Sequence, residues 1–390
     1  MTINKMKVGG MCMKTLSVYI HIPFCVHKCN YCDFLSAPAT EAARKQYVEA
    51  LKREIMQESL QYKEYSVDTV FFGGGTPSIL KGEEIAECME TLRQYYQVSP
   101  DAEVTLEMNP GTADRNKLQI LKKAGINRLS LGLQSTEDSL LRILGRIHTY
   151  EEFLQVYQDA RELGFDNINI DLMSSLPGQS IQDWEKTLKK VLALEPEHIS
   201  AYSLILEEGT PMGDHPDRYP PIPEEEADRC MYHLTRELMA QNGYDRYEIS
   251  NYAKNGRLCR HNAVYWTRGN YVGFGLGASS MVENCRWKNT ENMEQYLQFN
   301  SQEQSVKEDC HELDIKECME EFMFLGLRMM QGVSVSEFQI LYGHTIEEVY
   351  GSVLNKWQNT GYLIRQNGYI RLTEKGIDVS NVIMADFLLD

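Results

Sequence analysis

The sequence predicts an α/β fold built on a parallel sheet, followed by a small α+β module of winged-helix-like character. Three observations predict it. Six short β-rich runs alternate with segments whose apolar residues recur at helical spacing. Glycine and polar residues gather just after the ends of those runs, and the cadence changes from about residue 220 onward. A chain of 390 residues is long enough for about two or three domains with cores of their own.

The first strand is expected over residues 16–22, and Tyr47, Val48, Leu51 and Ile55 then mark a helix. A strand over 67–72 runs into Gly73-Gly74-Gly75-Thr76-Pro77-Ser78. Ile85, Met89 and Leu92 mark the next helix, 104–108 the third strand, Leu118 and Leu121 a helix, and 128–133 the fourth strand. The Phe153, Tyr157, Ala160 helix leads to a strand at 168–173, and the Trp184, Leu188, Val191 helix to one at 198–205. Such strand–helix–strand units cross over right-handed and make the sheet parallel, either open or closed into a barrel. Ligands bind at the carboxyl ends of strands in these folds, and Gly73 to Thr76, Glu107-Met108-Asn109-Pro110 and Gln134-Ser135 all fall there, which points to one shared site. A helix over 224–241 and a Gly- and Tyr-rich stretch to about residue 280 follow. The last module has helices around 320–330 and 346–357, two short strands flanking Asn367-Gly368, and a final helix. The chain thus divides into an N-terminal extension (1–14) expected to be disordered, a core (15–225), a connecting segment (226–304) and a C-terminal module (305–390).

Charge excludes some functions. With 39 Lys and Arg against 56 Asp and Glu, the net charge of −17 repels phosphate, so nonspecific nucleic-acid binding and docking on anionic lipid are disfavoured. From residue 305 onward seven basic residues face fourteen acidic ones, which argues against DNA as the partner of the winged-helix-like module. No run approaches the ~18 apolar residues of a membrane helix. The apolar run 16–22 contains His21 and leads straight into cysteines, unlike a signal peptide. The expectation is a cytoplasmic protein without an integral membrane segment, in which Met13 is an alternative start. Ten cysteines in so long a chain suit metal, redox or packing roles better than a disulfide framework.

Cys25, Cys29 and Cys32 follow the first strand with the spacing CxxxCxxC. Three thiolates on one loop can ligate three irons of a cubane cluster and leave a fourth iron open to a substrate. The same residues also suit a zinc site completed from elsewhere in the chain, or a redox pair of Cys29 and Cys32. Without Cβ atoms, Gly73, Gly74 and Gly75 let the backbone approach a ligand closely; the alternative is a plain strand-to-helix turn with Pro77 opening the helix. No Gly-Lys-Ser/Thr follows, so the segment is not a P-loop.

Tyr19-Ile20-His21-Ile22-Pro23-Phe24 before the cysteines and Gly73-Gly74-Gly75-Thr76-Pro77 after the second strand resemble the radical S-adenosylmethionine (SAM) enzymes. The resemblance is closest to the branch that contains the oxygen-independent coproporphyrinogen III oxidases and the heme chaperones. It continues through 127–135, Asp171-Leu172-Met173, Leu176-Pro177-Gly178-Gln179 and His261-Asn262-Ala263-Val264-Tyr265-Trp266. It implies a partial (β/α)6 barrel, a 4Fe-4S cluster on Cys25, Cys29 and Cys32, and SAM on the open iron, where one electron can break the sulfonium bond and release a 5'-deoxyadenosyl radical. By the same match Tyr19, Gly74, Gly75, Thr76, Glu107, Gln134, Arg146 and Asp171 line the SAM pocket; Tyr31, between two of the cysteines, can stack on adenine, with ordinary packing as the alternative. Asp171 and Glu107 can accept from ribose hydroxyls or the ammonium group, and Arg146 can pair with the carboxylate. Singly, such acids more often cap helices or pair at the surface.

The oxidases carry a further cysteine two residues beyond the third ligand, where this chain has Phe34. That departure, Glu248-Ile249-Ser250-Asn251 and the His261–Trp266 motif favour the chaperone group, in which this last motif is implicated in heme binding. His261 is the candidate axial ligand, with Tyr265 and Trp266 able to cover the macrocycle. Relatives often have histidine where this chain has Ser279, and Gly273-Phe274-Gly275-Leu276-Gly277 lacks the spacing of a dinucleotide fingerprint. The expected function is transfer of heme to an acceptor protein, a respiratory one for example, with an electron donor as second partner and SAM binding that need not mean turnover. The alternatives are radical decarboxylation of coproporphyrinogen III and a zinc-stabilised regulatory module with a winged helix.

Overall fold

Six parallel strands lie side by side in chain order: β1 (Lys14–Ile22), β2 (Tyr65–Gly74), β3 (Gln97–Met108), β4 (Arg128–Gln134), β5 (Ile168–Ser174) and β6 (His198–Ser203). The computed structural model describes residues 7–8, 11–298 and 305–389. Helices α1 (Glu41–Glu58), α2 (Gly82–Tyr95), α3 (Arg115–Lys123), α4 (Tyr150–Glu162) and α5 (Ile181–Leu192) connect the strands. The expected strand at 198–205 ends at Ser203.

Side chains alternate across a strand, so the register sorts the sheet into two faces. Leu16, Val18, Ile20 and Ile22 of β1 are buried in one core with Tyr47, Leu51 and Ile55 of α1. The other face is largely polar. Ser17 pairs with Thr69 and Tyr19 with Phe71; Thr69 in turn meets Glu103, Glu107 meets Ser130, Gly132 meets Asp171, and Asp171 meets Ser200. A parallel sheet that carries its polar groups on its concave side encloses a lumen rather than a second core.

Residues beyond 240 extend the same sheet at both edges. β7 (Asp245–Arg246) and β8 (Asn251–Ala253) add antiparallel to β6. β9 (Tyr271–Phe274) runs parallel to β1, and β10 (Ser279–Val282), β11 (Cys285–Asn289) and β12 (Lys307–Glu312) continue antiparallel beyond it. The resulting twelve-stranded sheet does not close, because β12 and β7 end it without pairing to each other. α6 (Glu225–Gln241) packs on α5, and α7 (Arg260–Trp266) lies against β2.

The C-terminal domain runs α8 (Ile315–Gly326), β13 (Val333–Ser334), α9 (Val335–Tyr342), α10 (Ile346–Asn359), β14 (Leu363–Gln366) and β15 (Tyr369–Leu372), the element order of a winged helix. Its three-stranded antiparallel sheet and a core containing Met323, Phe338, Ile346 and Phe387 are its own. Asn367 and Gly368 both have positive φ (53° and 81°), as a two-residue hairpin turn requires. The expected final helix is two short ones, Glu374–Ile377 and Ser380–Ala385. Of the expected N-terminal extension, residues 1–6 and 9–10 lie outside the described residues; Lys7–Val8 pairs with Met11–Cys12, and Lys14 already belongs to β1. Among the described residues no helix is long and apolar enough to cross a membrane.

Candidate functional site

At the carboxyl ends of the parallel strands Leu106, Leu133, Ile170 and Leu172 are fully buried on the helix side, while Tyr19, Gly74, Glu107, Gln134, Arg146 and Asp171 keep partial exposure. These six therefore border the open lumen. Asp171 accepts from Asn169 Nδ2 (2.7 Å) and Ser130 Oγ (2.9 Å). Burial raises its pKa and these hydrogen bonds oppose the rise. Glu107 accepts from the Gly74 amide (3.2 Å), and burial together with the Asp171 carboxylate pushes it up to about 8. Gly74 has φ +113°, and a Cβ there would lie 2.6 Å from the His21 ring, so only glycine fits. Gln134, at φ 69°, holds a left-handed conformation unusual for a side-chain-bearing residue, a form of strain that gathers at ligand sites.

The cysteine loop is pinched shut at its base, where Cys25 N donates to Ala37 O (3.2 Å) and Ala37 N to Pro23 O (3.0 Å). Within it Cys32 N donates to Cys29 O (3.2 Å), and the Asn30 backbone and side chain tie it to Leu144 O and Ile143 O. The glycine loop meets it from below. Gly75 N donates to Ile22 O (2.9 Å), Thr76 N to Phe24 O (2.8 Å), and Thr76 Oγ1 reaches Cys25 Sγ at 3.4 Å. Arg146 Nη1 lies 3.7 Å from Cys29 Sγ, and its Nη2 donates to Gly132 O (2.7 Å). Its Nε is buried without a partner. Burial raises the pKa of Cys32 and pushes Tyr31, which packs near Leu140, Leu144 and Met212, up to about 12 against the pull of Arg146. All three thiols are free. Among the described residues no three His, Cys, Asp or Glu side chains converge where a single metal ion could sit.

His261 stands apart from the thiols, on α7 against the other end of the lumen. It is 1% exposed, with Nδ1 2.8 Å from Thr69 Oγ1 and Nε2 2.8 Å from the Tyr265 hydroxyl. Its ring stacks on Phe71 (5.1 Å) and lies 6.3 Å from Tyr19, so the aromatic side chains link this site to the SAM-pocket candidates. A cavity of about 230 Å³ between β5, β6, α6 and Asp378 contains none of these residues.

Sequence reasoning missed the supporting groups. His21 accepts at Nδ1 from the Tyr19 hydroxyl (3.0 Å) and donates from Nε2 to Leu35 O (3.0 Å), tying the lumen wall to the cysteine loop. Glu103, buried in the barrel floor, accepts from the amides of Arg260 (3.2 Å) and His261 (3.1 Å). Polar residues inside otherwise apolar strands were the available signal.

An open parallel sheet bearing this loop at its mouth is the architecture of the radical SAM class, and residues 19–191 match the Radical SAM superfamily while 313–379 match the HemN C-terminal domain. The chain is 36% identical over 376 residues to the heme chaperone HemW of Bacillus subtilis (strain 168), covering 95% of this chain and 99% of that protein. It is 34% identical over 381 residues to HemW of Escherichia coli (strain K12), covering 96% and 98%. With the mitochondrial radical S-adenosyl methionine domain-containing protein 1 of Danio rerio it shares 31% over 390 residues, covering 96% and 87%. The chain belongs to the HemW family of the radical SAM superfamily. The solved structure of coproporphyrinogen III oxidase (HemN) from Escherichia coli superposes with a TM-score of 0.84 at 24% identity, covering 96% of this chain and 90% of that one, a likeness of fold.

Proposed function

We propose that this protein is a cytoplasmic heme carrier that holds a 4Fe-4S cluster on Cys25, Cys29 and Cys32, binds SAM in the lumen, and passes heme from the His261–Tyr265 site to an acceptor protein. One observation carries the cluster assignment: two of the three thiols already receive hydrogen-bond donors, Thr76 on Cys25 and Arg146 on Cys29, at the mouth of a lumen lined with carboxylates. Donors aimed at sulfur stabilise thiolates and the added charge of a reduced cluster. A zinc ion asks its ligands to converge on one point, whereas a cubane asks each thiolate to meet a different iron. When bound, the cluster and SAM supply one-electron chemistry. The residues around them would bind and orient: Glu107 and Asp171 would accept from an ammonium or ribose hydroxyls and Arg146, whose Nε has no partner, would pair with a carboxylate, while Gly74 and Gly75 let the glycine loop pack closely on His21 and the cysteine loop. Phe34, 61% exposed, offers no fourth thiol, which supports heme carriage over porphyrinogen oxidation. In this reading the acidic C-terminal domain serves as a lid or docking surface for the acceptor.

Anaerobic reconstitution with iron and sulfide tests the centre. About four irons and four sulfides per chain are expected, and a Cys25, Cys29, Cys32 triple alanine variant should lose them. Zinc as the only bound metal, or unchanged iron in the variant, would overturn the assignment.

A further inference from the structure

Resting on the reading that His261 takes heme, we infer that His261 is stored as a capped ligand: Thr69 fixes the ring tautomer that leaves a lone pair on Nε2, and the Tyr265 hydroxyl covers that lone pair until heme displaces it. A hydroxyl has one hydrogen to give. Thr69 gives its hydrogen to Ser17 Oγ, 2.8 Å away, so toward His261, also at 2.8 Å, it can only accept. The proton of the neutral ring is therefore on Nδ1. Nε2 is left as the acceptor, and the Tyr265 O–H donates to it at 2.8 Å. Tyr265 is four residues beyond His261 on α7, the spacing that stacks two side chains on one helix face.

The rest of the surroundings hold the ring ready. Phe71 stacks on it with planes 26° apart, and Glu103 anchors its backbone amide. An imidazole whose Nδ1–H donates to a fixed acceptor while Nε2 is free is the arrangement found in metal-ligating histidines. Tyr265 packs edge-on against Tyr271 with ring centroids 4.7 Å apart, so uncapping His261 means parting this pair as well as one hydrogen bond. Thr69 is thus a positioning residue and Tyr265 a gate; neither is the iron ligand.

Titration of the purified full chain with ferric heme, followed at the Soret band, separates the roles. His261→Ala should lose the ligand spectrum and weaken binding; an unchanged spectrum and affinity would remove the underlying heme reading itself. Given that loss, Tyr265→Phe should bind heme about five-fold more tightly, since the ring moves without giving up a neutral hydrogen bond of about 1 kcal/mol. If Tyr265→Phe instead loses heme as His261→Ala does, Tyr265 is a ligand and the gate is refuted. Thr69→Val should weaken binding and shift the Soret band, with Thr69→Ser restoring both; parent-like behaviour of Thr69→Val would refute the tautomer assignment. Melting curves of all four variants confirm that folded proteins are compared.

Discussion

Glu107 is the residue whose surroundings most change its chemistry. Its carboxyl titrates near 8 in the folded chain against 4.5 for an unperturbed glutamate. Between these values the folded state keeps a proton that the unfolded state has released, so stability falls as pH rises from about 4.5 to 8. Glu54, buried and pushed up to about 7, adds the same sign of slope over a narrower window. Glu107→Gln should therefore flatten the decline, measured as urea midpoints of the unreconstituted protein at pH 5 and pH 8. A variant whose midpoints fall as steeply as the parent's would mean that Glu107 ionises as freely folded as unfolded. Glu107 and Gln134 were legible in the sequence because they fall at strand ends, where parallel sheets place their ligands, whereas Asp171, in the middle of β5, was legible only through the family resemblance. The contact of Thr69 with His261 was not, since it spans 192 positions and depends on how α7 docks beneath β2.

At the scale of elements, the meeting of the glycine loop with the cysteine loop sets the proposed metal site. A Cβ on Gly75 would lie 2.7 Å from Phe24 O and 3.0 Å from Cys25 Sγ, and a backbone carbonyl cannot swing aside as a flexible side chain can. Gly75→Ala should push the cysteine loop outward, cost about 1–3 kcal/mol of stability as overpacking does, and reduce the iron retained after reconstitution. Full iron content with unchanged urea stability would show that the loops are not pressed together. All six core strands could be read from their apolar runs, but the first residues of β3 and most of the outer strands could not. Gln97–Asp101 include Pro100 and are mostly exposed, and β12, Lys-Glu-Asp-Cys-His-Glu, has no apolar residue repeating at period two. A charged edge strand protects the sheet from pairing with another chain and, for the same reason, hides from pattern reading.

Across the whole molecule, the most buried ion-pair join between sheet and C-terminal domain is at Glu321 on α8, with Arg236 and Arg246 pairing to Glu374 as a second, more exposed one. Glu321 is 6% exposed and accepts from Arg268 Nε (3.0 Å), just after α7, and from Arg286 Nη2 (2.6 Å) on β11. Arg268 also donates to the Tyr342 hydroxyl and to Cys318 Sγ, and it sits at φ 52°, a conformation that the surrounding contacts must hold. The same segment carries His261 five residues before the helix end, so the C-terminal domain and the proposed heme site share one support. Removing one partner of a buried ion pair leaves the other charge uncompensated, at a cost of about 3–5 kcal/mol. Glu321→Ala should therefore do more than lower stability. With Arg268 and Arg286 left facing the C-terminal domain unpaired, that domain, which has its own core, should melt first, and calorimetry should resolve two transitions where the parent gives one. Glu321→Gln keeps the shape but only one acceptor oxygen, with its NH2 set against the other guanidinium, so its loss should fall between the parent and the alanine variant. A single transition in Glu321→Ala, displaced by less than about 1 kcal/mol, would mean that apolar packing, the Met330–Tyr247 backbone hydrogen bond and the pairs of Arg236 and Arg246 with Glu374 hold the two parts together without Glu321.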